Sequence, residues 1–259
     1  VVRMSVVTLY NVLKSALKMP RRIKQFAIIA AGEGRRLSEE GVAQPKALVL
    51  LNGEPLLSRL VRIFNACGAE RIVVIVNDLN PLAAQHVRDL KAQPGGENIH
   101  LVVQTTPSSM HSFHAISSYL GDAPFCLTTV DTIFREEEFA KYIRDFANSE
   151  ADGVMAVTDY VDDEKPLYVA TDAEMNITAF NDANCGDQYI SGGIYALSPC
   201  ALVTLHRCMA EGQSRMRNFQ RGLIQDGLHL RAYPFSKILD IDHAEDIQKA
   251  EAFLAAREG

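Results

Sequence analysis

The chain has no tryptophan and only five cysteines in 259 residues. Cys67, Cys126, Cys185, Cys200 and Cys208 form an odd set with no CxxC pair. That excludes a disulfide framework and a cysteine-based zinc site, and it points to reduced thiols in a cytoplasmic protein. No stretch approaches the ~20 consecutive apolar residues that a membrane-spanning helix needs. Internal repeats and low-complexity tracts are also missing, and there is no overall excess of basic residues. The formal charge of −6 argues against a nucleic-acid binder. Two phosphate-binding fingerprints fail at the one place where they could fit. A dinucleotide motif starting at Gly32 would need glycine where Leu37 stands, and Lys46 follows proline rather than glycine and precedes Ala47 rather than Ser or Thr.

Charge is unevenly spread along the chain. Residues 1–25 hold six basic residues and no acid, whereas the remainder has 20 basic against 32 acidic residues, a balance of −12. Val6, Tyr10, Leu13 and Leu17 share one helical face, the pattern of an amphipathic helix. Asn11 and Lys14 interrupt the apolar part and no small-residue cleavage site follows, unlike a secretory signal. Residues 1–24 therefore read as an appendage, or as sequence ahead of a start at Met19, and residues 25–259 as a single domain.

From Phe26 onward, strand-length apolar runs alternate with segments of helical period. "FAIIAA", "RIVVIV", "IHLVVQ", "FCLTTV" and "DGVMAVTDY" are separated by helix patterns such as "PLLSRLVRIFNACG" and "EEEFAKYIRDFANS". This order predicts a three-layer α/β fold, a mainly parallel, Rossmann-like sheet with helices on both faces. After "YVDDEK" come short strand patterns, "LYVATD", "NITAF" and "YISGGIYAL", which suggest a small antiparallel patch beside the main sheet. Helices near "PCALVTLHRCMA" and "AEDIQKAEAFLAAR" then close the chain.

The most informative stretch is "AAGEGRRLSEEGVAQPKAL", Ala30 to Leu48. In an open parallel sheet, ligands bind beyond the carboxyl ends of the strands, and this loop follows the first strand. Gly32 and Gly34 leave room for backbone N–H groups to approach an anion, while Arg35, Arg36 and Lys46 supply positive charge. The combination reads as a polyphosphate site. His111 and His114 have i, i+3 spacing on a predicted helix, with no third metal ligand evident.

The stretch resembles the L-A-A-G-x-G-x-R-L…P-K signature of GT-A-like nucleotidyltransferases, which include sugar-phosphate nucleotidylyltransferases and cytidylyltransferases. "LNGEPLLSRLVRIFNACG" and "DIDHAEDIQKAEAFL" extend the likeness, so that it covers Phe26 to Glu258. The resemblance implies a magnesium-dependent transfer of NMP from a nucleoside triphosphate to a phosphorylated small molecule, with release of pyrophosphate. In that scheme Arg36 grips the triphosphate and Lys46 neutralises the reacting phosphates. The backbone of Ala30, Ala31, Gly32, Glu33 and Gly34 takes the nucleotide, and Gln104 contacts the base. The resemblance places the metal on Asp131 and on Asp240 or Asp242, with Gly193 against the acceptor.

The sequence departs from the pattern in several places. Arg35 stands where Ser or Thr is usual, free to add a phosphate contact or to point into solvent. Asn181 and Asp182 replace the Glu-Lys pair of hexose-phosphate members, Ser108 to Met110 lie where Gly-Thr-Ala is expected, and His243-Ala244 replace Thr-Pro. Asp246 reads as a helix-start residue. The acidic loop with Asp159, Asp162, Asp163 and Glu164 is either a solvated loop or a contact for a cationic acceptor such as phosphocholine. The base, the acceptor and any homo-oligomer are left open. The alternatives are a nucleotide or sugar-phosphate sensor without turnover and a glycosyltransferase using a nucleotide-sugar.

Overall fold

The structure, a computed structural model, describes residues 21–162 and 165–256. The amphipathic pattern over residues 6–17, together with Asp163 and Glu164, lies outside the described residues.

Thirteen strands and eight α-helices follow one another along the described residues. Strand β1 (Gln25–Ala30) leads into helix α1 (Arg35–Glu39), a 3-10 turn (Lys46–Leu48), and the short strands β2 (Leu50–Leu51) and β3 (Glu54–Pro55). Helix α2 (Leu56–Ala66), β4 (Arg71–Val76), α3 (Pro81–Lys91), β5 (Ile99–Val103), α4 (Ser109–Ser117) and β6 (Phe125–Thr129) continue the alternation. Next come β7 (Thr132–Ile133), α5 (Glu136–Asn148), β8 (Gly153–Thr158), β9 (Tyr168–Thr171), β10 (Ile177–Asn181) and β11 (Tyr189–Leu197). Helices α6 (Ala201–Ala210) and α7 (Met216–Gln225), strands β12 (Leu230–Pro234) and β13 (Leu239–Asp240), and helix α8 (Ala244–Ala255) complete it.

The expected α/β architecture is present. In the nine-stranded main sheet β1 lies between β4 and β6, parallel to both, with β5 parallel to β4 at one edge. Successive side chains of a strand face opposite sides, and every residue of β1 is buried. Phe26, Ile28 and Ala30 join the core under α2 and α5, where Phe26 stacks on Phe64 at 4.5 Å. Ala27 and Ile29 join the opposite core with Met110 and Phe113 of α4 and Phe219 of α7. Helix α2, the helix pattern read in "PLLSRLVRIFNACG", buries Leu57, Leu60, Val61 and Phe64. Full burial of one such side chain is worth about 1.5–3 kcal/mol.

The second half differs from expectation in two respects. "YISGGIYAL" does not belong to a side patch: β11 is a central strand, antiparallel to β6 on one edge and to β8 on the other. Only β9 and β10 form the hairpin-like annex, joined to the first residues of β11. The register of β11 against β8 breaks between Ser191 and Tyr195. Gly192 and Gly193 lie in that break, and the crowding falls on Gly192, where a Cβ would come within 2.2 Å of the Ile238 side chain. Gly193 instead supplies a positive φ of 72°. Helix α7 and strand β12, which pairs in parallel with β8, have no counterpart in the sequence reading.

Residues 21–24 pack on the domain, since Ile23 is buried and Arg21 Nη1 donates to the Ser149 carbonyl at 2.7 Å. Cys126 is buried in the core and Cys67 is half-buried. No helix among the described residues is long and apolar enough to cross a membrane.

Candidate active site

Three chain segments converge at the carboxyl ends of β1 and β6. The first is the loop Ala31–Gly34 with Arg36, the second residue of α1. Asn77, just past β4, holds this loop from the side, its Nδ2 donating to the carbonyls of Ala31 at 3.2 Å and Gly32 at 3.3 Å. The parallel register sets Ala30 opposite Val76, so the next residue of each strand falls within reach of the other. The second segment is Pro45–Lys46. Gly34 adopts the left-handed conformation (φ 64°, ψ 35°), and a Cβ there would lie 3.1 Å from the Lys46 Cβ, so the loop and the lysine are packed together.

The third segment carries the acids. Strand β7 pairs antiparallel with β13, setting Asp240 opposite Thr132, and Ile241 N–H donates to the Asp131 carbonyl at 3.2 Å. This two-stranded clamp brings Asp131 and Asp242 to either side of Lys46. The ammonium is ion-paired with Asp131 and lies 2.6 Å from Asp242 Oδ1. Arg36 Nη1 is 3.5 Å from Asp242 Oδ2. Burial works against the Lys46 charge, but Asp131 and then Asp242 outweigh it and hold its pKa above the ordinary lysine value. The lysine is therefore a fixed cation at any working pH.

A second contact braces the same corner. Glu40 accepts from Ala244 N–H at 2.7 Å and meets His243 Nδ1 at 2.6 Å, tying the end of α1 to the start of α8. The Ala244 amide, then His243, lowers the Glu40 pKa, and the Glu40 hydrogen bond raises that of His243. Asp246 accepts from the N–H groups of Asp242 at 3.1 Å and His243 at 2.7 Å, the helix-start role read from the sequence. His243 and Ala244 thus serve at a position where the resemblance led us to expect Thr-Pro.

A cleft of about 580 Å³ opens over these groups. Its floor is Ala31–Gly34, Arg36, Lys46, Asp131 and Asp242, and its far wall is the hydroxyl-rich run Thr105–Ser109 with Ser112. Ser108 caps α4, and Thr106 Oγ1 lies 2.6 Å from Ser112 Oγ. A cavity of about 290 Å³ adjoins it, sharing Arg36 and Asp242 and adding Asp240, Tyr160, Ser191 and Gly192.

The structure thus unites Ala31, Gly32, Glu33, Gly34, Arg36, Lys46, Asp131 and Asp242 around one cleft. Ala30 is the last residue of β1 and lines the neighbouring pocket on the α3 side. Asp240 opens on the adjoining cavity instead. Gln104 is exposed and stands outside the lining of the cleft, while its neighbours Thr105 and Thr106 line it. Gly193 lies in the β11 irregularity beside Thr132 and lines neither cavity. Arg35 is largely exposed and paired with Glu33, and it also lines the cleft, so both readings of it stay open. Asp182 is engaged by Arg217 at 2.5 Å and Arg221 at 2.8 Å. His111 meets Ser108 Oγ at 2.9 Å and His114 packs edge-on against His206 at 5.1 Å. Sequence reasoning missed Asn77 and the hydroxyl wall. The readable signal for the first was a polar Asn-Asp pair directly after "RIVVIV".

As to metal, no three His, Cys, Asp or Glu side chains among the described residues form a cage. Asp131 and Asp242 nevertheless flank a cation, the Lys46 ammonium, and both offer hard oxygen donors. Two carboxylates plus phosphate oxygens and water is an ordinary magnesium environment, so the residues fit the ion.

Asp240 is exposed to solvent at the adjoining cavity. The protein around it, then the Asp131 charge, raises its pKa to about 7, with Lys46 opposing. In metal-free buffer, Asp240→Asn should therefore gain on the wild type as pH rises. An unfolded Asp titrates near 4, so the fold holds an extra proton between about pH 4 and 7 and wild-type stability falls across that window. The Tm difference should widen over that range and level off above it. A difference that stays flat would mean that Asp240 ionises alike in both states.

A mainly parallel sheet with this loop, lysine and acid pair at its carboxyl edge defines the nucleotidyltransferase class. The MobA-like NTP transferase domain matches residues 26–196, and the chain belongs to that family. It is 28% identical over 159 residues to a CMP-5'-(3-aminopropyl)phosphonate synthase of Streptomyces rubellomurinus, which is 53% of this chain but only 24% of that relative's length. It is 24% identical over 235 residues to the UTP–glucose-1-phosphate uridylyltransferase AglF of Haloferax volcanii, covering 88% of this chain and 95% of the relative. Two solved structures share the fold. The inositol-1-phosphate CTP transferase from T. maritima has a TM-score of 0.73 at 17% identity, over 92% of this chain and 100% of that one. A putative glucose-1-phosphate thymidylyltransferase from Bacillus anthracis, in complex with a sucrose, has 0.76 at 19%, over 91% and 97%.

Proposed function

We propose that the protein is a magnesium-dependent, cytoplasmic nucleotidyltransferase that moves a pyrimidine NMP from its triphosphate to a small phosphate- or phosphonate-bearing acceptor. The observation that carries this reading is Lys46 fixed between Asp131 and Asp242 beneath a glycine loop with Arg36 at its end. Support for a pyrimidine comes from the relatives and fold neighbours above, whose names specify CMP, UTP, CTP and thymidylyl transfer.

In this reading an acceptor oxygen attacks the α-phosphorus, a new P–O bond forms, and the bond to the departing pyrophosphate breaks. Both reactants are anions, so the protein contributes alignment and positive charge. The N–H groups of Gly32–Gly34 and the planar fork of Arg36 hold the outer phosphates. Lys46 keeps a positive charge against the reacting phosphate through the whole step. Magnesium, held by Asp131 and Asp242, would supply further neutralisation of the phosphate oxygens. The cavity beside Asp242 would seat the acceptor, with Gly192 leaving its wall flat.

The test is thermal unfolding with Mg²⁺ and each of CTP, UTP, dTTP, GTP and ATP in turn. A triphosphate at 100 times its Kd stabilises by about 2.7 kcal/mol, or roughly 5–10 °C for a chain of this size. One pyrimidine should stand out, and Arg36→Ala should erase its shift. A purine standing out would overturn the base assignment, and no shift with any triphosphate would overturn the substrate class.

A further inference from the structure

A second cavity, of about 540 Å³, shares no lining residue with the triphosphate cleft. Its walls are the β2–β3 hairpin, one side of α2, the start of α5 and the end of α8. Two arginines border it in an unusual state. Arg59 is only 3% exposed, and its Nη2 donates to the Phe134 carbonyl at 2.6 Å, but Nη1 is buried without a partner. Its nearest carboxylate, Glu136, lies 4.0 Å from Nε, beyond hydrogen-bond reach. Arg135 donates through Nη2 to the carbonyls of Phe253 and Ala256, at 3.0 and 2.7 Å, while its Nε is likewise buried and unpartnered. Four buried side-chain polar atoms lack a partner among the described residues, and two of them are these guanidinium nitrogens at one cavity.

The glutamates nearby are not partners of either nitrogen. Arg62 engages Glu54 and Glu136 at 2.8–2.9 Å. Glu138 accepts from Ser236 N–H and hydroxyl at 2.7 and 2.8 Å. Helix α5, 13 residues long, starts here with no side-chain cap. A buried cationic donor without an acceptor is costly; both nitrogens are closed to solvent, so a ligand oxygen relieves that cost once a small side-chain shift opens them to the cavity.

We infer that this cavity is a second binding site, one that takes a small molecule through a single carboxylate or phosphate group bound by Arg59 and Arg135. The remaining acids, Glu137 foremost, disfavour a polyphosphate, so the ligand class differs from that of the active cleft.

The test is an NMR titration of the arginine Nε–H signals of the full chain with inorganic phosphate and, separately, acetate. The Arg36→Ala background weakens the main cleft, and the backbone amides of Ala31–Gly34 report that cleft independently. The Arg135 and Arg59 signals should shift saturably, with a midpoint distinct from that of the loop amides, and phosphate and acetate will show which oxyanion is preferred. Arg135→Gln gives up the donations to Phe253 and Ala256, so its unfolding midpoint should fall by a few degrees with the fold retained, and it should weaken the anion at least tenfold. Signals that stay put with both anions, or binding unchanged in Arg135→Gln, would overturn the site.

Discussion

Lys46→Met is expected to reduce turnover by at least ~10²–10³-fold, the scale on which a single fixed charge or donor at a reacting centre acts. The residue is anchored from three sides: by packing against Gly34, by the ion pair with Asp131 and by the contact with Asp242. Such an anchored cation needs no rearrangement as phosphate charge builds up. Removing it also leaves two carboxylates facing each other with no charge between them, so the variant should melt below the wild type in metal-free buffer. Added Mg²⁺ should then raise the variant's Tm more than the wild type's, because the two acids recover a cation. Pyrophosphate release is measured with the triphosphate that the unfolding screen selects and a panel of phosphate and phosphonate acceptors. Near-normal turnover in the variant would remove Lys46 from the chemistry.

The parts of this site legible in the sequence were those whose chemistry is local. A buried strand followed by two glycines, an arginine and a Pro-Lys pair needs no tertiary information to read as an anion loop, and Asp131 follows its strand directly. The C-terminal acids were legible as alternatives, Asp240 or Asp242, but not which of the two meets Lys46. The β7–β13 pairing ends at Asp240, so the chain is free to turn Asp242 toward Lys46 while Asp240 opens on the next cavity. The errors share a physical origin in non-local pairing. The patterns of β11 are those of any short strand, and only its two antiparallel partners make it central. Strand β12 acquires its place from a parallel neighbour more than seventy residues earlier. Asn77 acts across the sheet on the loop after β1, a relation set by register and invisible to a linear reading.

Gly34→Ala and Gly32→Ala should separate the two ways in which glycine can matter in the loop. At Gly34 the backbone is left-handed, which costs an alanine about 1–2 kcal/mol, and the new Cβ would press on that of Lys46. The strain and the displaced lysine should appear together, as a Tm lower by a few degrees and triphosphate binding at least tenfold weaker. At Gly32 a Cβ meets nothing within 4 Å of the protein, and the substitution should leave stability within ~0.5 kcal/mol of the wild type. Any loss of triphosphate affinity there must come from the ligand's own approach to the backbone. If Gly32→Ala binds normally while Gly34→Ala does not, the glycines serve to place Lys46 rather than to admit phosphate. If both bind as the wild type does, the phosphates are held by Arg36 and Lys46 alone and the loop's N–H groups have no part in it. If both fail, with only Gly34→Ala destabilised, the loop cradles the phosphates directly and the lysine's position is a consequence of the same turn.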